Sequence, residues 1–419
     1  MTKIDLLSED FSDLRTLTTD FRSKGGISLI SVTKLLLNNE HYGDNLRYVK
    51  EAKGTQHGTT HGRGPVVVWN CTRTCNLKCI HCYSSSENKK YPDELTTVEG
   101  KKFIDDLAEF NVPVILFSGG EPLLREDLLE LAAYAKSKGI RSTISTNGTL
   151  ITPQMAQSFK EIGISYVGIS LDGIGENNDR FRGQKGAYEK ALRGIRNCLS
   201  VGQKVGLRFT INKHNFKDLD DIFKLVEEEN IPRICFYHLV YSGRGNEMIN
   251  EDITHEETKQ VMDKIIHWTK DFHNRGLDKE ILTVDNHCDG IYIYEYLKNI
   301  DKEQAERVAE LLRTNGGNRS GIAIGQVDWN GNVHCDQFTP NHTFGNVKER
   351  KFGDIWTDIT HPILGGLKNR KPLLKGKCST CPRVDMCNGN FRARAEAVTG
   401  DFWETDPACY LTDKERGVK

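Results

Sequence analysis

Residues 69–83 read WNCTRTCNLKCIHCY. Three thiols, Cys75, Cys79 and Cys82, follow the spacing C-x3-C-x2-C, and a fourth, Cys71, stands just upstream. Thiolates are the usual ligands of iron–sulfur clusters. Three ligands on a four-iron cube leave one iron open, as catalytic metal sites keep one position for substrate. The competing reading is a four-cysteine zinc knot that also uses Cys71. Cys71 directly follows the strand-like run VVVWN (66–70), so it is expected to pack as a small core residue.

A second thiol set lies in the tail. CSTCPRVDMCNGNF holds Cys378, Cys381 and Cys387 at C-x2-C-x5-C, and Cys409 follows in DPACYL. Four cysteines form a closed set that suits zinc or a 4Fe–4S cluster, and spacing alone does not choose. Cys198, on a helical pattern, and Cys235, on a strand-like run, read as core. Cys288 falls in the polar loop DNHCDG, and Cys335 in GNVHCDQF has no companions and is expected to be unligated.

The chain that carries these groups has 419 residues, long enough for one large catalytic domain with smaller units. Its 57 basic and 58 acidic residues balance, so no nucleic-acid partner is expected. The acidic opening, MTKIDLLSEDFSDLRTLTTD, lacks the apolar stretch of a signal peptide. No apolar run approaches the roughly 20 residues that span a bilayer, so no membrane partner is expected. The expected location is cytoplasmic, where the twelve cysteines stay reduced and clustered thiols point to metal more than to disulfides.

Short β-branched runs alternate with amphipathic helical stretches from residue 65 onward. The strand candidates are 66–70, 114–118, 142–146, 166–170, 205–211 and 234–240. CTRTCNLKCIHC follows the first, GGEP (119–122) the second, NGTL (147–150) the third and LDG (171–173) the fourth. In a βα barrel these strand ends form one face, where active sites are built. The expected fold is α/β, a partial (βα)6 TIM-like barrel with a C-terminal Cys-rich auxiliary-cluster extension. A doubly wound open sheet is the alternative. The divisions read as an N-terminal region (1–64), a barrel core (65–245), a helical connection (246–320) and a Cys-bearing tail (321–419).

With FSGGEPLLR, STNGTL and ISLDG following the cysteines in order, the chain resembles the radical S-adenosylmethionine (SAM) superfamily. The resemblance implies that Cys75, Cys79 and Cys82 hold a 4Fe–4S cluster whose open iron binds SAM, with the aromatic Tyr83 beside it. It implies that Gly119, Gly120, Glu121 and Pro122 receive the methionine amino group. Ser145 and Asn147 would face the ribose, Ser170 and Asp172 would line the same face, and Arg208 would pair with the methionine carboxylate. The tail resembles the SPASM extension, which implies an auxiliary 4Fe–4S cluster on Cys378, Cys381, Cys387 and Cys409. Phe391 stands where a full extension has a further cysteine, so one auxiliary cluster is expected, two clusters in all.

Across YSGRGN (241–246), VDNHCDG (284–290), NGGNRSGIAIG (315–325) and RAEAVTGDFWETDPACYL (394–411), the chain resembles the tetrapyrrole-modifying branch of this superfamily. That implies a siroheme-derived substrate and an external low-potential electron donor. The reaction implied is removal of acetate side chains from 12,18-didecarboxysiroheme to give Fe-coproporphyrin III, with propionate removal, as in heme d1 biosynthesis, the alternative. A carboxylate-rich macrocycle calls for cationic and hydrogen-bonding side chains around an apolar slot. His238, Arg244, His287 and Arg319 are the substrate candidates, with His334, Arg392 and Arg394 nearby in sequence. Peptide maturation or sulfatase activation, and a non-enzymatic iron–sulfur or zinc scaffold, are the other classes. A cofactor pocket at the strand ends argues against a scaffold.

Overall fold

The computed structural model describes residues 29–41, 43–48, 57–59 and 62–418. Most of the 1–64 region therefore lies outside the described residues.

Among the described residues, ten strands form one sheet. They are β1 (Leu29–Ser31), β2 (Val66–Thr72), β3 (Val114–Gly119), β4 (Arg141–Thr146) and β5 (Tyr166–Ser170), then β6 (Val205–Ile211), β7 (Arg233–His238), β8 (Glu280–Val284), β9 (Ile324–Val327) and β10 (Val333–His334). Their order is β1-β8-β7-β6-β5-β4-β3-β2-β9-β10. Strands β2 to β7 pair in sequence and in parallel, each followed by helix, which is the (βα)6 core of a partial TIM-like barrel. Both faces of such a sheet are covered, so its strands read as continuous apolar runs. Every residue of β2 is buried.

Local signals close the helices that pack outside the sheet. Thr96 and Glu99 form a reciprocal capping box on helix Thr97–Glu109. Helix Pro153–Ile162 starts on a Thr152 cap with Pro at its first position and ends on Gly163 at φ 84°. Trp69 of β2 seats the core beneath the first helix, 5.3 Å from the ring of Phe103 and 5.6 Å from that of Phe117.

The six expected strands are present within two residues of their expected ends. Four more, β1, β8, β9 and β10, were not expected. The stretch 246–320, read as a helical connection, contains β8, which pairs in parallel with β7. The tail sends β9 back to pair in parallel with β2. The sheet thus extends past the six-strand core on both sides, and β1 and β10 close its edges antiparallel. Among the described residues no helix is long and apolar enough to cross a membrane.

Candidate active site

The loop leaving β2 carries Cys75, Cys79 and Cys82 over the strand ends, and neighbouring segments strap it down. Its amides Lys78 and Ile80 donate to the carbonyls of Arg182 and Phe181 at 3.3 and 3.0 Å. From the far side, Arg244 donates through Nε to the Cys79 carbonyl (2.8 Å), through Nη1 to that of Ser86 (3.0 Å) and through its amide to that of Cys82 (3.0 Å). Gly243 sits at φ 56°, and a Cβ there would stand 2.3 Å from the Tyr83 carbonyl, so only glycine fits. YSGRGN is therefore a clamp on the cysteine loop. Arg244, expected to meet substrate, is committed to that loop's carbonyls.

The GGEP segment is shaped by the same loop. The amides of Gly120 and Glu121 donate to Thr72 and Thr74 carbonyls at 2.8 and 2.9 Å. A Cβ on Gly119 or Gly120 would lie 2.2 or 2.3 Å from those carbonyl oxygens. Close approach of protein backbone, rather than of ligand alone, demands both glycines. Glu121 is fully buried, and its carboxylate accepts from Leu123 N (3.0 Å), Thr146 Oγ1 (2.7 Å) and Asn147 N (2.8 Å). It ties the GGEP and NGTL loops together, where a cofactor contact was expected. Pro122 opens the short turn Pro122–Leu124 beneath them.

A cavity of about 150 Å³ opens under the thiols. Cys75, Cys79 and Cys82 line it together with the expected Tyr83, Gly119, Gly120, Ser145, Asn147, Ser170, Arg208 and His238. Asn147 is held by Asn76, which accepts from its amide at 2.9 Å. The Tyr83 hydroxyl donates to Asn70 Oδ1 at 3.0 Å and its ring meets Phe338 edge-on at 5.3 Å. The Ser145 hydroxyl is buried with no partner among the described residues. The Arg208 guanidinium lies 4.6 Å above the Tyr237 ring.

Asp172, Glu121, Pro122, Arg244, His287 and Arg319 do not line this cavity. Asp172 accepts from the Thr210 amide at 2.9 Å, pairs with Arg182 and lies 3.3 Å from His81 Nε2. Arg182 in turn reaches the Cys79 sulfur at 3.5 Å. Neither Arg182 nor His81 was expected at the site, although both line the cavity and His81 lies within the cysteine motif itself. Arg319 donates to the Gly58 carbonyl at 3.3 Å. His287 is buried, its amide donates to Asn390 Oδ1 at 2.8 Å, and burial lowers its imidazole to about 4.

Cys378, Cys381, Cys387 and Cys409 converge on a separate small cavity, joined there by Cys288. The Cys387 carbonyl accepts from the Asn318 and Asn390 amides at 3.1 and 3.0 Å. Gly317, at φ 65°, packs so tightly on Cys387 that a Cβ would fall 2.2 Å from its carbonyl carbon. NGGNRSG thus buttresses the tail site. Cys71, Cys198, Cys235 and Cys335 are buried away from both thiol sets, and Cys335 lies 3.0 Å from the Thr339 hydroxyl. Phe391 packs edge-on against Phe338 at 5.4 Å, where a further ligand was missed in the sequence.

Below the first cavity the barrel interior opens into a second, of about 180 Å³, walled by Tyr166, Tyr237, Phe338 and Phe391. Arg208, Tyr237, Asp285 and Phe338 line both.

Residues 69–226 match the Radical SAM superfamily, and residues 324–382 match the SPASM iron–sulfur cluster-binding domain. The chain is 56% identical over 395 residues to Fe-coproporphyrin III synthase of Methanosarcina barkeri, covering 93% of this chain and 99% of that one. It belongs to the radical SAM superfamily. Pre-heme d1 synthase of Dinoroseobacter shibae is 42% identical over 90% of this chain and 93% of its own. Among solved structures, Streptococcus suis SuiB bound to S-adenosylmethionine superposes with a TM-score of 0.66 at 17% identity, covering 84% of this chain and 78% of that one, a likeness of fold. The cofactors of this radical SAM enzyme are 4Fe–4S clusters and SAM. The first cavity suits them: three thiols face it, one buried hydroxyl lacks a partner, and burial pushes the Cys75 thiol up to about 12, so a thiolate there needs a cation such as iron.

Proposed function

We propose that this radical SAM enzyme removes acetate side chains from 12,18-didecarboxysiroheme to give Fe-coproporphyrin III. The observation that carries the reading is the continuity of the thiol cavity with an aromatic-walled barrel interior, with Arg208 standing between them. The relationship to Fe-coproporphyrin III synthase over nearly the whole chain supports the substrate class. The relationship to pre-heme d1 synthase favours propionate removal as the second reading, at lower identity.

Cys75, Cys79 and Cys82 would hold the first cluster, and Cys378, Cys381, Cys387 and Cys409 the auxiliary one. When bound, the first cluster and SAM supply a 5′-deoxyadenosyl radical, fed by an external low-potential electron donor. The chain's own residues do the rest. Gly119, Gly120, Ser145, Asn147 and Ser170 wall the cofactor cavity. Arg208 offers a guanidinium backed by Tyr237 to a carboxylate, with Arg233 over Tyr166 farther inside. Phe338, on the wall of both cavities, packs edge-on against Phe391 of the tail, and this aromatic wall would screen a carbon radical from stray hydrogen donors of the protein. A reducing, cytoplasmic setting suits the thiol chemistry.

The test mixes the anoxically reconstituted protein with SAM, dithionite and 12,18-didecarboxysiroheme and reads products by mass. Fe-coproporphyrin III with 5′-deoxyadenosine is expected. Loss of propionates selects the second reading. No visible-absorption shift on adding the tetrapyrrole removes the substrate class.

A further inference from the structure

His238 ends β7 on the wall of the thiol cavity. Its Nε2 lies 2.8 Å from Oδ2 of Asp289, in the first turn of helix Cys288–Lys298. The other oxygen of Asp289 accepts from the Tyr410 hydroxyl at 2.8 Å. Asp289 is fully buried, and Tyr410 nearly so. An ionised carboxylate only accepts, so with both oxygens engaged Nε2 must carry hydrogen. That fixes the ring orientation and leaves Nδ1 as the nitrogen that Asp289 does not engage. Three separate elements, a strand, a helix and the tail, are spent on orienting one imidazole.

We propose that His238 is the proton donor to the side-chain fragment expelled from the macrocycle, with Asp289 and Tyr410 as positioning residues. The assignment rests on the acetate-removing function proposed above. Once the 5′-deoxyadenosyl radical has taken a hydrogen atom from the neighbouring ring carbon and left as 5′-deoxyadenosine, the bond between ring carbon and carboxymethyl group breaks homolytically: its ring-side electron pairs with the one on the neighbouring carbon as a ring double bond, and its other electron stays on the fragment. The carboxymethyl radical becomes acetate by taking one electron from the low-potential donor and one proton from Nδ1. The imidazole is then reprotonated from solvent. Asp252 and Asp285 are charged groups that interact with His238, Asp285 shares its cavity, and Arg394 donates to the carbonyl of the adjacent Leu239. Asp285→Asn is therefore the comparator for an alternative donor.

The test compares wild type, His238→Gln and Tyr410→Phe, each reconstituted, with SAM, dithionite and 12,18-didecarboxysiroheme across pH. His238→Gln should raise the 5′-deoxyadenosine formed per acetate released by about 100-fold, the usual scale of a lost general acid. Its iron content and the visible spectrum of bound tetrapyrrole should match wild type. Tyr410→Phe leaves the Asp289 charge less satisfied, so the pH limb of acetate release should move to higher pH with KM held. A wild-type ratio and pH profile in both variants overturns the assignment. So does a changed iron spectrum in His238→Gln, which would make His238 an iron ligand, or a 100-fold effect from Asp285→Asn alone. Wild-type protein that releases no acetate overturns the proposed function and this assignment with it. Acetate release that ignores His238→Gln overturns this assignment alone.

Discussion

Arg182 holds its Nη1 3.5 Å from the sulfur of Cys79. Burial pushes that thiol up, and the guanidinium is the main influence pulling it back. Asp172 fixes the other end of the guanidinium, so the cation stays at the sulfur. Hydrogen bonds and charge at cluster sulfurs set reduction potentials. Arg182→Met should therefore lower the midpoint of the first cluster, by about 60 mV for each 1.4 kcal/mol of stabilisation lost in a one-electron couple. A redox titration followed by electron paramagnetic resonance measures it, and an unmoved midpoint counts against the role.

Iron content separates the thiol sets. The reconstituted chain should bind about eight irons, the sum of two four-iron clusters. Changing Cys75, Cys79 and Cys82 together to Ala should leave about four and abolish SAM cleavage. Changing Cys378 and Cys381 should also leave about four but keep some SAM cleavage. Cys71→Ala should keep both clusters, because Cys71 is buried in the core with its sulfur 3.5 Å from the Ser118 carbonyl. Loss of the first cluster in that variant would falsify the assignment.

Phe391→Cys restores a thiol at the position where a fuller extension has one. It should add no iron, since Cys335 contacts Thr339 and has no second thiol near it. It should cost about 3 kcal/mol through the cavity left among Phe338, Val240 and Ala393. Chemical denaturation with iron analysis checks both, and twelve bound irons would overturn the single-auxiliary-cluster reading.

Asp285 carries a pH dependence. It sits at φ 66° on the wall shared by the two cavities. Burial raises its carboxyl from an ordinary 3.8 to about 7, although Arg394 pulls the other way. A raised folded value means the folded state holds the proton more tightly. The stability it contributes is full below about 4 and drains away as pH rises toward 7, by roughly 1.4 kcal/mol per unit. Asparagine tolerates the left-handed backbone, so Asp285→Asn should fold and lose this slope. Urea unfolding at pH 5.5 and 7.5 should show wild type losing more than the variant, and parallel losses would remove the claim.

The parts of the fold legible in the sequence were those with local causes. Runs such as VVVWN and VILFS are apolar throughout because parallel strands bury both faces. Strand β8 was missed because EILTV is five residues long between the helices His255–Asn274 and Cys288–Lys298, and β9 because IGQV holds a glycine and a glutamine. At the site, the thiols and small polar residues of the strand ends were readable from type and spacing. Arg182, His81 and Asp289 were not, because their roles depend on partners brought from elsewhere in the chain. The same blindness placed Arg244 toward substrate. Nothing local in YSGRGN says that its cation folds back onto the carbonyls of Cys79 and Ser86.

The pairing of β2 with β9 also bears on the order in which the protein comes into being. One edge of β2 meets β3 early in synthesis, but the other faces residues such as Ile324, paired with Val66. At about 5–20 residues per second, the ribosome takes tens of seconds to supply that partner. Throughout that interval the strand that leads into the Cys75, Cys79 and Cys82 loop has a bare edge, and its contact with β9 is among the most distant in sequence, the kind that closes slowly. Iron delivered to a nascent chain would meet a half-built seat, so metal loading belongs after release of the finished polypeptide.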